Sequence, residues 1–463
     1  MYAYKLSGNA SYKQKAVDVW EYIKENLIDR EYGEWYWSRL GDGTINRKDD
    51  KAGFWKCPYH NGRMCMEMIE NLVLIKPYFY ILKRILFIVA ALVLAYMVKA
   101  QDSDNPPGIV IKHVASQTQK YIGSPSICIM PDGDYIVSHD EFGPKSREFE
   151  SANTCIYRSQ DKGLTWDSIA RVHGQFWSNL FLVNKDLYIM GTNKHHGNLI
   201  IRKSVDGGYT WTIPYDGQNG LILEGEYHTA PVPVVFHKGR VWRAVEYATA
   251  QTTEWGKRYS AMVVSAPIEA DLLDARNWTR SNHLGYDADY LGGRFAAWLE
   301  GNVVVSLENE VVDVLRVNQH EAGEEKIAIV KVSDSSNVSF SPQDFYTMPG
   351  GSKKFTIRYD DKSRKYWAIV NDVLPTYKDK NPHAVRNHLS LISSPDLKNW
   401  SACKSLLFHL DSDKHGFQYI DWVFDGNDII FVSRTAYDDK DGGANNYHDA
   451  NFLTFHRIEN FRK

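Results

Sequence analysis

Three apolar stretches end in carboxylates: Ile136-Val-Ser-His139-Asp140, Val241-Trp-Arg-Ala-Val-Glu246 and Val303-Val-Val-Ser-Leu-Glu308. A carboxylate at the end of a β-run points toward whatever the strand ends enclose rather than into bulk water. Convergent carboxylates are what glycosidic cleavage needs, one as proton donor and another as nucleophile, base or stabiliser. Asp140, Glu246 and Glu308 are therefore candidate catalytic groups. His139, Glu141, His228, His448 and Asp449 are candidate substrate contacts beside them. Arg386 and Arg434 offer planar forks suited to an anionic group.

The elements that must position these residues run from about Gly108 to Phe461, where short β-runs alternate with turn signals. Two stretches, Ser159-Gln-Asp161-Lys-Gly163-Leu-Thr165-Trp166 and Ser204-Val-Asp206-Gly-Gly208-Tyr-Thr210-Trp211, obey one pattern, S-x-D-x-G-x-T-W. In it Asp and Ser bond turn N–H groups, Gly takes the positive φ, and Trp packs underneath. The pattern resembles the Asp-box, a hairpin turn that recurs once per blade in sialidase-like β-propellers. Aligning on it predicts a mainly β, six-bladed propeller. Its third strands are expected over 154–159, 199–204, 261–265, 327–333, 389–394 and 452–457. A degenerate box is read at Ser394-Pro-Asp396-Leu-Lys-Asn-Trp400. Inner hairpins are placed at Pro131–Asp134, His237–Arg240, Glu300–Asn302 and Phe424–Asn427. The segment 108–114 is expected to close the ring as an outer strand of the last blade.

Residues 108–463 resemble the bacterial sialidase-like, Asp-box repeat family. In that family three arginines hold the substrate carboxylate, an Asp is acid/base, and a Tyr activated by a Glu is the nucleophile. The resemblance implies Asp140 as acid/base, Tyr419 in Gly416-Phe417-Gln-Tyr419 as nucleophile, and Glu246 or Glu308 as its partner. Where the family carries its first arginine this chain has Tyr121-Ile-Gly-Ser-Pro125-Ser-Ile. The resemblance thus implies the fold and a glycosidase more firmly than it implies sialic acid.

Residues 1–75 read as helical, with an amphipathic run from Tyr12 to Ile28 and a second helix from Asn61 to about Leu74. Trp55-Lys56-Cys-Pro-Tyr-His60-Asn-Gly-Arg63 resembles the C-terminal end of the N-acylglucosamine 2-epimerase family, an (α/α)6 barrel. His60 matches a family catalytic histidine and Arg63 lies on the same helix start. A barrel fragment cannot bury its inner faces alone, so both are expected to be relics without activity. Lys83-Arg84 then precede an apolar run from Ile85 to Val98, and Val98-x-Ala100 supplies the small residues of a cleavage site. A run of about 14 residues is short for a membrane span and suits a signal-peptide core. Segment 76–100 is accordingly expected to direct export, anchoring the chain at the membrane through 80–100 if uncleaved, with the propeller beginning at 101.

Composition narrows the function classes. A net charge of −3 argues against a nucleic-acid partner. The five cysteines show neither metal spacing nor a disulfide framework. Asp438-Asp439, Asp441 and His448-Asp449 could hold a calcium ion, but the run Asp438-Asp-Lys-Asp441-Gly-Gly reads rather as a solvated turn, so no metal and no cofactor are expected. The 14 Trp and 28 Tyr suit stacking on sugar faces as well as sheet packing. The reading is a monomeric, secreted glycoside hydrolase acting on a glycan. Two alternatives stay open: a polysaccharide lyase, and a non-catalytic glycan-binding propeller.

Overall fold

The computed structural model describes residues 7–30, 35–36, 38–48, 105–319 and 322–463. The chain divides into two compact units, Met1–Asp102 and Ser103–Lys463. In the first, one α-helix is described, Ala10–Asn26, capped by the Asn9 side chain accepting from Ser11 N. Isolated bridges Ile28↔Trp35 and Arg39↔Ile45 follow it. The amphipathic helix is thus found, but the (α/α)6-barrel character is not supported by the described residues. His60, Arg63, the helix expected over 61–74 and the apolar run of 76–100 lie outside them. No helix among the described residues is long and apolar enough to cross a membrane.

The second unit is mainly β and propeller-like, built of antiparallel sheets that follow one another along the chain. Tyr135–Phe142, Asn153–Ser159 and Asp167–His173 form the first, with Ser126–Ile129 and Tyr121–Ile122 both pairing the first of these strands. The last is Gly416–Asp425, Asp428–Ala436 and Phe452–Ile458, and Ile109–His113 pairs with Phe452–Ile458 as its outer strand. The N-terminal strand therefore closes the final sheet, as 108–114 was expected to do.

Six separate sheets were expected, and the described strands form five. Leu221–His228 pairs with Arg240–Ala248 through Tyr227↔Tyr247 and His228↔Glu246, fusing the expected second and third blades into one eight-stranded sheet. The remaining two sheets run from Phe295 to Thr347 and from Thr356 to Phe408. Apolar clusters join neighbours in sequence order. Cys128 and Ile136 pack on Leu180 and Ile189, Trp242 and Val263 on Phe295 and Leu315, and Val314 and Ile329 on Phe355 and Ala368. Ile369 and Leu391 pack on Phe417 and Trp422, and Ile430 and Phe455 return to Ile127 and Val137.

The S-x-D-x-G-x-T-W stretches form the hairpin turns that their residue types dictate. Ser159 Oγ accepts from Gly163 N at 2.8 Å, Asp161 Oδ1 accepts from Thr165 N at 2.8 Å, and Trp166 Nε1 donates to Gly163 O at 3.1 Å. Ser204–Trp211 repeats the pattern. Gly163 has φ 93°, and a Cβ there would lie 2.3 Å from the Phe455 ring. These turns share one end of the sheets with inner hairpins such as 130–134. The connections between second and third strands, 143–152, 249–258, 371–387 and 437–451, leave from the other end.

Candidate active site

The end opposite the S-x-D-x-G-x-T-W turns gathers polar side chains from every sheet. Asp140 comes from Tyr135–Phe142 and is 1% exposed. Thr154 Oγ1 donates to its Oδ1 at 2.7 Å and Trp177 N to its Oδ2 at 2.8 Å. Trp177 holds φ 48° at the start of its strand, an unusual conformation that turns its N–H onto the carboxylate. Burial raises the Asp140 pKa to about 8, outweighing these hydrogen bonds and the nearby Arg434. A carboxylic acid that keeps its proton at neutral pH is suited to donate it.

Next around the ring, His228 and Glu246 face each other across the fused sheet. His228 Nδ1 donates to Glu246 Oε2 at 2.7 Å, and Gly301 N donates to Glu246 Oε1 at 3.1 Å. The His228 ring meets Trp177 edge-on at 4.4 Å. Beneath Glu246, Asp313 is buried and pushed well above the carboxylate range, by burial first and by Glu246 second. Trp255, in the loop after Arg240–Ala248, stands at 5.2 Å from His228 and exposes part of its indole at the rim.

The strand Phe295–Val305 bulges at Glu300-Gly301, where the pairing register shifts between Leu299 and Asn302. Gly301 is required there, since a Cβ would lie 2.3 Å from Asp313 Oδ1. The bulge turns Glu300 inward, where Arg316 Nη1 donates to its Oε2 at 2.6 Å. Burial works to raise the Glu300 pKa, but Arg316 and His228 together hold it below the usual value. Tyr419 lies close enough to Arg316 to help Glu300 raise the guanidinium's pKa against the effect of burial.

Tyr419 sits at a second bulge, between Gln418 and Asp421, with φ 55°. Its ring lies 5.5 Å from the Arg386 guanidinium and 4.9 Å from that of Arg434. Arg386 is held by Gln418 Oε1 and by His383 O at 3.2 Å. Arg434 stacks over Phe142 at 4.2 Å and donates to His448 O, while its Nε has no partner among the described residues. Three guanidinium groups thus surround one partly exposed phenol. His448 and Asp449 border the set, joined Nδ1 to Oδ1 at 3.0 Å. Burial and then Arg434 lower the His448 pKa to about 4.

Not every candidate belongs here. Glu308 lies in the exposed turn between Phe295–Val305 and Val311–Gln319, beside Asp396 and Lys398 of the turn 394–400. That is the opposite end of the sheet. Glu300-Gly301-Asn302 has the composition of an inner hairpin but forms the bulge, so the turn falls at 306–310 and Val303–Val305 finishes the inner strand. His139 and Glu141 alternate with Asp140 and so face the other side of their strand. His139 Nδ1 donates to Asp140 O and its Nε2 meets the Tyr157 hydroxyl at 3.2 Å, while Glu141 pairs with Arg171. Both hold the sheet rather than line the site.

Glu300 and Arg316 were not anticipated. The signal for Arg316 was the alternation Val312-Asp313-Val314-Leu315-Arg316-Val317, a buried β-run with a cation on one face. At the other end of the unit a cavity of about 640 Å3 is lined by Val303–Leu307, Tyr359 and Phe424. Its arginine, Arg358, is tied to Trp422 O and Asp421.

No family profile matches the chain. A short stretch is similar to curated cellobiose 2-epimerases: 54% identical over 66 residues to that of Bacteroides fragilis, 14% of this chain and 17% of that one. The Ruminococcus albus enzyme is 53% identical over 70 residues, 15% of this chain and 18% of that one. The chain thus spans about a sixth of the length of these relatives. Among solved structures it is similar to a Penicillium chrysogenum α-L-arabinanase complexed with arabinobiose, at 13% identity and TM-score 0.48, over 77% of this chain and 98% of that one. A Fusarium graminearum α-L-arabinofuranosidase in complex with an iminosugar inhibitor matches at 12% and 0.48, over 78% and 100%. A Trypanosoma rangeli sialidase matches at 13% and 0.47, over 74% and 56%.

Proposed function

We propose that the second unit is a glycoside hydrolase that releases a terminal, anionic sugar from glycans, in the manner of an exo-sialidase. The observation that carries this reading is Tyr419 amid Arg316, Arg386 and Arg434, with Glu300 paired to Arg316 and a protonated Asp140 in the same ring. A phenol is a poor nucleophile unless a base takes its proton as it attacks, and Glu300, which shares Arg316 with it, would serve as that base. In the first step the Tyr419 hydroxyl gives its proton to the Glu300 carboxylate as its oxygen bonds to the anomeric carbon and the glycosidic bond breaks, and Asp140 gives its own proton to the leaving oxygen. In the second, the Asp140 carboxylate takes a proton from water, whose oxygen displaces Tyr419, and Glu300 returns the phenol's proton.

Arg386 and Arg434 would hold the substrate's anionic group through charge-assisted forks. Arg434, stacked on Phe142 of the first sheet, then substitutes for the arginine absent from Tyr121–Ile127. Glu246 and His228 would orient the sugar beside Trp177. The repeat is read as six blades, the eight-stranded sheet being two of them joined by a two-residue bridge. The S-x-D-x-G-x-T-W turns are assigned as Asp-boxes, and segment 76–100 is read as an export signal. The epimerase-like stretch, with His60 and Arg63, is taken to have no activity of its own. The test is a screen of the purified chain against aryl glycosides, with an α-sialoside and a uronide beside neutral sugars. Release from an anionic glycoside is expected; cleavage that yields an unsaturated uronate would mean a lyase, and no turnover of any of them would mean a binding protein.

A further inference from the structure

A second cluster lies in the loops that flank the strands carrying Tyr419 and Arg434. His409 and His415 belong to the connection between Ser401–Phe408 and Gly416–Asp425, and Asp438 follows Asp428–Ala436. The two imidazoles stack at 3.5 Å with an interplanar angle of 20°, and the Tyr437 ring meets their edges at 5.5 and 5.0 Å. One ligand atom from each of His409, His415 and Asp438 falls within 4.8 Å of the others.

His415 makes the second, independent observation. Its side chain is 4% exposed, yet neither ring nitrogen has a hydrogen-bond partner among the described residues. Its Nε2 lies 3.2 Å from Asp438 Oδ2 in poor hydrogen-bond alignment, and its Nδ1 lies 3.6 Å from Asp411 Oδ2. A buried imidazole that makes no hydrogen bond is costly, and a bound cation would remove that cost. The neighbouring Asp439 differs, because His113, Asn451 and Gly443 N already satisfy it.

We propose that His409, His415 and Asp438 bind a divalent transition metal ion of the zinc class, which clamps the loop 409–415 to the loop beginning at Tyr437. Two imidazole nitrogens and one carboxylate form a donor set that such ions take, with water completing the shell. Asp411 is placed to serve both histidines from behind. Its carboxylate faces His415 Nδ1, and its N–H donates to His409 Nδ1 at 3.1 Å. On metal binding His409 carries its proton at Nδ1 and leaves Nε2 for the ion, exchanging the Asp411 N–H contact for one to a carboxylate or water. The sequence offers Asp438 only beside its acidic neighbours, and the two histidines that accompany it in the fold are more than twenty residues away along the chain. The proposal does not depend on the hydrolase reading.

The experiment uses the full chain, freed of any histidine tag, stripped with a chelator and dialysed against Zn2+ or Co2+. About one equivalent of Zn2+ should bind, the thermal midpoint should rise, and bound Co2+ should show visible bands of nitrogen and oxygen ligation. His415→Gln and Asp438→Asn should each weaken Zn2+ binding by about tenfold or more. Asp438 is half-exposed, so its variant remains informative if His415→Gln does not fold. Absence of stoichiometric Zn2+ binding, or binding unchanged in Asp438→Asn, would overturn the proposal.

Discussion

Asp140 concentrates the residue-scale physics. Its pKa of about 8 means that the folded state holds a proton that the unfolded chain, near 3.8, releases. This contribution to stability is full below the unfolded value and is lost as pH rises through the folded one. Asp140→Asn removes that penalty, so its thermal midpoint should exceed that of the wild type at pH 9 while kcat/KM falls by roughly 10²–10⁴-fold. Wild-type kcat/KM should also fall on the alkaline side of about pH 8, where Asp140 no longer has a proton to give. The Glu300–Arg316 pair behaves differently, because both partners are buried. Arg316→Met leaves an unpaired buried carboxylate and should cost about 3–5 kcal/mol in urea unfolding, with much of that recovered in the Glu300→Gln/Arg316→Met double variant. Asp140, Glu246 and Arg434 could be picked from the sequence because each stands in or at the end of an apolar β-run, Arg386 because its guanidinium suits an anion, and Tyr419 because of the family resemblance. Glu300 could not, since a Glu-Gly-Asn triplet has the composition of a turn and only its pairing partners reveal a bulge.

At the scale of elements, the hairpin turns and the polar ring occupy opposite ends of the same strands. A lesion in a turn should therefore lower stability without touching chemistry. Gly163→Ala forces a side chain into the Phe455 ring at φ 93°, and should destabilise by about 1–3 kcal/mol while kcat/KM stays within about twofold. A matching loss of turnover would mean that the two ends are coupled. The turns were legible because the serine, aspartate, glycine and tryptophan each have one mechanical job. The register of Phe295–Val305 was not. Val303-Val304-Val305 is apolar enough to be either an inner or a second strand, and strand order depends on partners far along the chain.

At the scale of the whole molecule, closure decides stability. Ile109–His113 completes the last sheet, and Ile109 and Ile111 pack into the cluster shared with the first. Deleting residues 105–114 should lower the thermal midpoint by roughly 5 °C or more and expose the edge of Phe452–Ile458 to aggregation. Calorimetry of the shortened chain checks this. The succession of sheets was readable from the repeat, but their number as hydrogen-bonded units was not, because the fusion rests on the two pairs Tyr227↔Tyr247 and His228↔Glu246. Those pairs also put His228 and Glu246 side by side in the ring, so sheet topology and site are one arrangement. Tyr419, framed by three arginines, is the proposed nucleophile toward an anionic glycoside. Incubation with a fluorinated sialosyl-type glycosyl fluoride, followed by peptide mass spectrometry, tests that role most directly. The arrangement predicts one glycosyl adduct, on Tyr419; an adduct on Glu246 or Glu300, or turnover of the anionic glycoside that persists in Tyr419→Phe, would contradict it.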